Sequence, residues 1–179
     1  FSNIVVTSDE QTGLVLIKGE SMPVVTAFNL SSAIPERLWT LEKSCRAVDC
    51  KILLKNDHTL LVIDREITIY DISSIQSPVQ IGSVPIVVEE TQIVPFVHSG
   101  DISPDGKMLF LQVYVMSDIF RLQIYNISVL PAPRLIVEHA FNKVEGLKLS
   151  TKLMTFSAAS NFKTGFLFQD ESLFKIKFS

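Results

Sequence analysis

The fold is decided by residues 122–128, which read Leu-Gln-Ile-Tyr-Asn-Ile-Ser, because related stretches recur along the chain. Residues 69–73 read Ile-Tyr-Asp-Ile-Ser, and residues 27–31 read Ala-Phe-Asn-Leu-Ser. Each copy is followed by a loop that contains proline and then by another apolar run. Short apolar runs bounded by turn residues are typical of β-strands, and Asn or Asp can bond its own backbone where a strand ends. The motif therefore predicts a strand, a turn, a loop and a second strand in every copy.

Acidic turn residues precede the copies at a constant spacing. Asp9, Asp57 and Asp105 are 48 residues apart, and each lies between two short apolar runs. Another step of 48 reaches Leu153, where we predict a fourth copy whose third strand lies near residues 174–179. Each unit is then strand, tight turn, strand, variable loop, strand, proline loop and strand. Insertions are expected in the loop between the second and third strands, on one face of the array.

Strand signals cover most of the chain, and helical periodicity is nearly absent. The predicted strands are residues 4–7, 14–17, 24–28, 52–54, 60–63, 67–70, 108–114, 121–125 and 135–137. Residues 32–43 form the best helix candidate, but their counterparts in the other copies indicate a loop and a strand instead.

A four-stranded antiparallel unit of about 40–50 residues in tandem is a β-propeller blade. The sequence therefore predicts one all-β, partial β-propeller over residues 1–179. Its approximate blades are residues 1–45, 46–90, 91–142 and 143–179, with the last one incomplete. Propellers usually close with more blades, so we expect a piece of a larger propeller or a partner chain that covers the open edge. A β-sandwich would also explain the short strands, but not the repeat of 48 residues.

The motifs resemble those of the LVIVP-repeat family of β-propellers. The resemblance lies in residues 67–73 and 122–128, each a strand that runs into Asn or Asp, Ile and Ser before a proline. Residues 102–110, Ile-Ser-Pro-Asp-Gly-Lys-Met-Leu-Phe, resemble a hairpin shared by lactonase-like and WD-type propellers. The resemblance implies a propeller, often in surface or secreted multidomain proteins, and it supplies no catalytic residues.

Composition and charge exclude several classes of function. Hydrophobic residues make up 47% of the 179 residues and charged residues 20%, which is typical of a globular protein. Net charge is −3 and the basic residues are scattered, so we predict no nucleic-acid binding. No apolar run approaches the roughly 18–20 residues of a membrane span. No glycine-rich phosphate loop is present, and no cofactor is predicted.

Histidines and hydroxyls do not form a recognisable catalytic pattern. His58, His98 and His139 lie in different repeats and lack metal-ligand spacing, so surface positions are expected. Residues 98–101 read His-Ser-Gly-Asp, but a triad is defined by spatial geometry rather than by proximity in sequence. We predict no catalytic residues here.

Carboxylates at the hairpin turns are the best metal candidates. Asp9, Asp57 and Asp105 could ring one end of a propeller, where carboxylates can hold Ca²⁺. Their role in forming the turns already explains them, so no metal site is predicted.

Two features bear on modification and compartment. Cys45 and Cys50 are either two buried free thiols or, if the chain turns between them, a small disulfide loop. Asn29 and Asn126 begin Asn-x-Ser sequences and are candidate glycosylation sites, although a turn role explains them too. These sequences and the family resemblance favour a cell-surface, secreted or luminal setting, whereas the scarcity of cysteine favours the opposite.

The functional prediction is a non-enzymatic propeller that serves as an interaction or structural module. Its partners would be other proteins or the remaining blades of the same propeller. Residues 85–95 and 161–168, read as loop insertions, are the predicted binding places. The alternative is a lactonase-like enzyme with a metal site in the central channel, built from residues of several blades.

Overall fold

The computed structural model describes residues 3–17, 23–42, 45, 50–74, 77–88, 95–116, 119–142, 155–158, 164–169 and 172–177. Within these residues the secondary structure consists of fifteen β-strands and no helix. The all-β prediction is confirmed, and residues 36–41 form a strand rather than a helix.

Three antiparallel sheets have four strands each, in sequential order. The first contains β1 (Ile4–Val6), β2 (Thr12–Ile17), β3 (Val24–Asn29) and β4 (Glu36–Leu41). The second contains β5 (Lys51–Asn56), β6 (Thr59–Ile63), β7 (Glu66–Asp71) and β8 (Val79–Pro85). The third contains β9 (Phe96–Ile102), β10 (Met108–Met116), β11 (Ile119–Asn126) and β12 (Arg134–Asn142). These are the sheets of propeller blades.

A fourth sheet has three strands in the described residues. They are β13 (Thr155–Ala158), β14 (Thr164–Gln169) and β15 (Ser172–Lys177), in that order. The structure corrects the predicted insertion at residues 161–168, because residues 164–168 belong to β14 and residues 165–168 pair on both sides. The predicted turn near Leu153 lies outside the described residues.

The chain divides into two compact units, the first built on sheets one and two and the second on sheets three and four. In the first unit β1 lies against β5, and the Asn3 side-chain oxygen accepts the backbone N–H of Ile52 at 2.7 Å. In the second unit β9 lies against β13. Neighbouring blades therefore meet through their first strands in each unit.

Central strands are covered on both faces, which explains their nearly continuous apolar sequences. In the second sheet, residues 60–63 and 67–70 are all buried. Both sheets of the first unit contribute to one cluster of buried side chains: Leu14, Leu16, Val25, Ala27, Trp39, Cys45, Cys50, Ile52, Leu60, Val62, Tyr70 and Ile72. Burying such side chains is worth about 1.5–3 kcal/mol each and is the main stabilising contribution to the blades.

The fourth strand of each complete sheet carries one extra residue at the same place in the repeat. The pairing skips Leu38 in β4, Ile81 in β8 and Ile136 in β12, each beside the aromatic residue of the motif. A bulge at a sheet edge increases the local twist and hinders pairing with another edge. The repeated bulge therefore lies on an edge strand of each complete sheet.

In the third sheet, the connection between the second and third strands is not the long loop that the sequence predicts. Only residues 117 and 118 separate β10 from β11, because the extra length extends these strands to nine and eight residues. The insertion is thus absorbed by backbone hydrogen bonds of the sheet. In the first sheet, by contrast, residues 18–23 connect β2 to β3.

Gly82 in β8 lies close to Pro131, and both residues belong to the first unit. A Cβ atom at residue 82 would lie 2.3 Å from the Pro131 carbonyl oxygen. Only glycine, which has no Cβ atom, leaves room for this backbone contact.

Candidate functional site

Asp9 and Asp105 close equivalent hairpin turns. Asp9 Oδ1 accepts hydrogen bonds from Thr7 Oγ1 at 2.6 Å and from the Gln11 amide at 2.9 Å. Asp105 Oδ1 accepts the corresponding bonds from Ser103 Oγ at 2.7 Å and the Lys107 amide at 3.1 Å. Hydrogen bonds from the hydroxyls, first of all, lower the pKa of both carboxyls. These two carboxylates are engaged in turn formation, as the sequence predicts.

Asp57 lies in the turn between β5 and β6, as predicted, but its carboxylate does not bond within that turn as those of Asp9 and Asp105 do. Asn56 closes that turn, since its Oδ1 accepts the His58 amide at 2.9 Å. The Asp57 carboxylate instead accepts the Ser8 amide at 2.7 Å and also the Ser8 hydroxyl. Both bonds from Ser8 lower the pKa of Asp57. The side chain thus joins the first hairpins of sheets one and two.

The predicted histidines lie in separate places. His58 is exposed in the β5–β6 turn, His98 is half-buried in β9, and His139 lies in β12. Among the described residues, no group of three His, Cys, Asp or Glu side chains could hold a metal ion.

Residues 98–101 lie within β9, the first strand of the third sheet. Ser99 donates its hydroxyl hydrogen to Gln112 Oε1 at 2.9 Å, so this hydroxyl is not directed at His98. Asp101 Oδ1 accepts the Ile102 amide at 2.8 Å. Although Asp101 has an exposed side chain, partial desolvation raises its pKa. The structure therefore brings polar groups to this strand without arranging them as a nucleophile and its base.

A buried polar cluster on the third sheet was missed by sequence reasoning. Gln123 is fully buried, and its Nε2 donates to the Val87 carbonyl at 2.8 Å and to the Glu138 carboxylate. The Tyr125 hydroxyl donates to Gln123 Oε1 at 2.9 Å, and Arg121 pairs with Glu138. Burial, and then the Glu138 charge, raise the pKa of Tyr125.

This cluster has a structural position. It lies between β11 and β12. Through Val87 it also holds the start of the segment 85–95, which the sequence predicts as a binding place. Residues 89–94 of that segment lie outside the described residues. The available signal was the polar pair at residues 121 and 123, which share one face of an otherwise apolar strand.

The fourth strands expose apolar side chains, which we call the outer-strand residues. They are Val79 and Ile81 of β8, exposed by 57% and 39%, and Leu135, Ile136 and Val137 of β12, exposed by 37–49%. An edge strand also presents unpaired backbone groups on its outer side. Among the described strands, none pairs with the outer side of β8 or β12, so these strands combine apolar contact area with an open sheet edge.

Asn29, Asp71 and Asn126 occupy the same place at the end of the third strand. The Oδ1 atom of each accepts the amide of the serine two residues on, at 2.8–2.9 Å. The residue directly after each Asn or Asp donates its backbone N–H to a carbonyl oxygen of the preceding hairpin. The motif that reveals the repeat is thus a shared side-chain-to-backbone turn.

Cys45 and Cys50 form a disulfide, with an S–S distance of 2.09 Å and a Cα–Cα distance of 5.8 Å. Of the two alternatives left open by the sequence, the structure has the disulfide rather than the free thiols. Both cysteines are buried in the core of the first unit, between the end of the first sheet and the start of the second.

Solved structures share the fold at low sequence identity. A protein of unknown function from Desulfotomaculum acetoxidans matches with a TM-score of 0.69 and 13% identity, over 99% of this chain and 51% of its own. The periplasmic gluconolactonase PpgL from Pseudomonas aeruginosa matches with a TM-score of 0.64 and 12% identity, over 92% and 45%. The Cps50 (Swd1) β-propeller domain from Myceliophteria thermophila matches with a TM-score of 0.58 and 13% identity, over 94% and 54%.

These likenesses establish the fold as that of a β-propeller. The chain spans about half the length of the solved structures that it matches. No protein-family model matches the sequence, and no curated protein matches it. None of the described residues forms a helix long and apolar enough to cross a membrane.

Proposed function

We propose that the chain is part of a non-enzymatic β-propeller that acts as an interaction or structural module. The observation that carries this proposal is the row of exposed apolar side chains on the outer strands β8 and β12. Isolated exposed apolar residues are common, but adjacent ones on a strand edge favour contact with another protein. The Leu135–Val137 run in β12 is the strongest candidate because three consecutive residues are exposed.

The proposal is also supported by polar side chains that are already engaged in hydrogen bonds within the protein. Asp9 and Asp105 bind their own turns, Asp57 binds Ser8, and Ser99 binds Gln112. These bonds would have to be broken before the same groups could act on a substrate. An interaction module requires no such rearrangement.

We further propose that residues 1–179 form one partial propeller with the four blades predicted from the sequence. The matched structures are about twice as long, which favours further blades from the same polypeptide or from a partner chain. Among β-propeller families, we favour the LVIVP-repeat family, because residues 67–73 and 122–128 resemble its repeats.

The test uses the full-length protein with charged substitutions on the outer strands. Ile81→Lys and Ile136→Lys should reduce recovery of specifically bound proteins at least about tenfold, equivalent to about 1.4 kcal/mol of binding free energy. Ile34→Lys is the matched control, because Ile34 is 79% exposed in the loop before β4. Quantitative cross-linking and mass spectrometry would measure recovery, and melting temperatures would verify folding. Equal recovery with all three variants would remove the outer strands from the proposal.

A lactonase-like enzyme is the second candidate. It is supported by the polar residues 98–101 on the first strand of the third sheet and by the match to a protein described as a gluconolactonase. The full-length protein would be assayed for hydrolysis of gluconolactone with and without Ca²⁺ or Mg²⁺. We expect no turnover above buffer. Turnover that His98→Ala or Asp101→Asn abolishes would favour the enzyme instead.

A further inference from the structure

Two Asn-x-Ser sequences occupy equivalent turns in the first and third sheets. Asn29 Oδ1 accepts the Ser31 amide at 2.9 Å and the Ser31 hydroxyl at 2.6 Å. Asn126 Oδ1 accepts the Ser128 amide at 2.8 Å and the Ser128 hydroxyl at 2.6 Å. Each sequence therefore holds its asparagine and serine together at the end of a strand.

The bonds use only the oxygen of each side-chain amide. Within the described residues, neither Asn29 Nδ2 nor Asn126 Nδ2 donates a hydrogen bond. Both asparagines are partly exposed, and Ser31 and Ser128 are exposed. A group attached to either Nδ2 atom would leave the hydrogen bonds of the turn in place.

Asp71 shows that the turn does not require asparagine. Its Oδ1 accepts the Ser73 amide at 2.9 Å in the corresponding place of the second sheet. The amide nitrogens of Asn29 and Asn126 are therefore not needed to form this turn. They remain available for a second role.

The Cys45–Cys50 disulfide is an independent observation, and it indicates an oxidising compartment, where asparagine-linked glycans are also attached. Both sulfur atoms are buried in the core of the first unit. Disulfides of this structural kind form in oxidising compartments such as the endoplasmic reticulum lumen. Asparagine-linked glycans are attached to secreted proteins at surface Asn-x-Ser sequences.

We propose that Asn29 and Asn126 carry asparagine-linked glycans and that the protein matures in an oxidising, secretory compartment. The donor class is an oligosaccharide joined through a pyrophosphate to a lipid. A bond forms between Nδ2 and the first sugar carbon, while the bond from that carbon to the phosphate oxygen breaks. The lipid pyrophosphate leaves with the bonding electrons, and Nδ2 gives one proton to a base of the transferase.

The experiment uses the full-length protein isolated from the cells that produce it. Peptide-N-glycosidase should remove two glycans and leave aspartate at residues 29 and 126, as measured by intact-mass and peptide mass spectrometry. Asn29→Asp and Asn126→Asp should each remove one glycan without lowering the melting temperature, because Asp71 already forms this turn. Ser31→Ala and Ser128→Ala should also remove one glycan each.

Asp71→Asn is the matched variant in the opposite direction. It would complete an Asn-Ile-Ser sequence at residues 71–73, and we expect a third glycan at that position. Unmodified asparagine at both residues 29 and 126 would overturn the proposal, and modification at only one would overturn it for the other. Glycans that persist in Asn29→Asp and Asn126→Asp would assign the modification to other residues and also overturn it.

Discussion

Gln123 is buried in the third sheet with both ends of its amide satisfied. Its nitrogen donates to Val87 and Glu138, and its oxygen accepts from Tyr125. Buried polar groups of this kind contribute little when paired, but their partners become costly when left unpaired. Gln123 thereby couples the segment that begins at residue 87 to the sheet.

Replacing Gln123 with leucine tests this coupling. Gln123→Leu keeps the side-chain volume but leaves buried groups of Val87, Tyr125 and Glu138 without their partner. We expect the free energy of unfolding to fall by at least about 2 kcal/mol, measured by urea denaturation. Tyr125→Phe removes only the hydroxyl donor and should lower it by about 1 kcal/mol. Equal stability of Gln123→Leu and the original protein would contradict the coupling.

Asp57 gives the bond between the first two sheets a dependence on pH. Its pKa lies below the usual 3.8 because Ser8 donates two hydrogen bonds to the charged form. A lowered carboxyl pKa stabilises the folded state above the unfolded pKa, and this contribution is lost as pH falls through the folded value. Asp57→Asn should therefore show a smaller drop in melting temperature between pH 7 and pH 3.

The control for Asp57 is Ser8→Ala, which removes the hydroxyl donor but keeps the amide donor. It should change the pH dependence in the same direction and by a smaller amount, measured by differential scanning calorimetry. An unchanged pH profile in both variants would show that the bond does not contribute to stability.

Several residue roles were predictable from the sequence, and others were not. Asp9 and Asp105 were assigned to turns because local chemistry is enough to define a hairpin. Asp57 also lies in its predicted turn, but the bond from its carboxylate to Ser8, 49 residues away, was not predictable, because Asn56 closes the turn and leaves that carboxylate for another partner. Contacts of that range depend on how sheets pack, which spacing along one copy does not reveal.

At the scale of elements, two equivalent hairpins offer a direct comparison. The turn residue with positive φ is Glu10 in the first sheet, at 60°, and Gly106 in the third, at 68°. A residue with a Cβ atom is disfavoured there by about 1 kcal/mol or more relative to glycine. Glu10→Gly should therefore raise the free energy of unfolding, and Gly106→Ala should lower it by about 1 kcal/mol.

Chemical denaturation of the two variants measures both effects. The entropy of the unfolded chain opposes the gain from Glu10→Gly, so its stabilisation should be the smaller of the two. Opposite signs are the essential expectation, and a loss of stability in Glu10→Gly would show that the left-handed backbone at residue 10 is not strained.

The elements themselves were largely predictable. Nine strand signals and the four-stranded unit follow from apolar runs and turn residues, and the structure contains all of these strands. β9 is less evident because residues 98–101 are polar or glycine, and β14 was read as an insertion. Gly165 weakens the strand signal of β14, and only its pairing with β13 and β15 makes the segment regular.

For the whole molecule, the Cys45–Cys50 disulfide lies where the first sheet passes into the second. Cross-linking residues five positions apart reduces the entropy of the unfolded chain by an amount worth roughly 2 kcal/mol. The double variant Cys45→Ala with Cys50→Ala should lose about this much stability, measured by thermal unfolding. A reducing agent should destabilise the original protein and leave the double variant unchanged.

The turn shared by Asn29, Asp71 and Asn126 has a consequence for how such a chain can evolve. Codons for asparagine and aspartate differ by a single base, and the turn accepts either side chain. If the asparagines carry sugars, one point mutation would add or delete a carbohydrate on a given blade while the scaffold stays intact. Successive blades could then gain or lose glycans independently through such mutations. The surface without carbohydrate would define where partner proteins can bind.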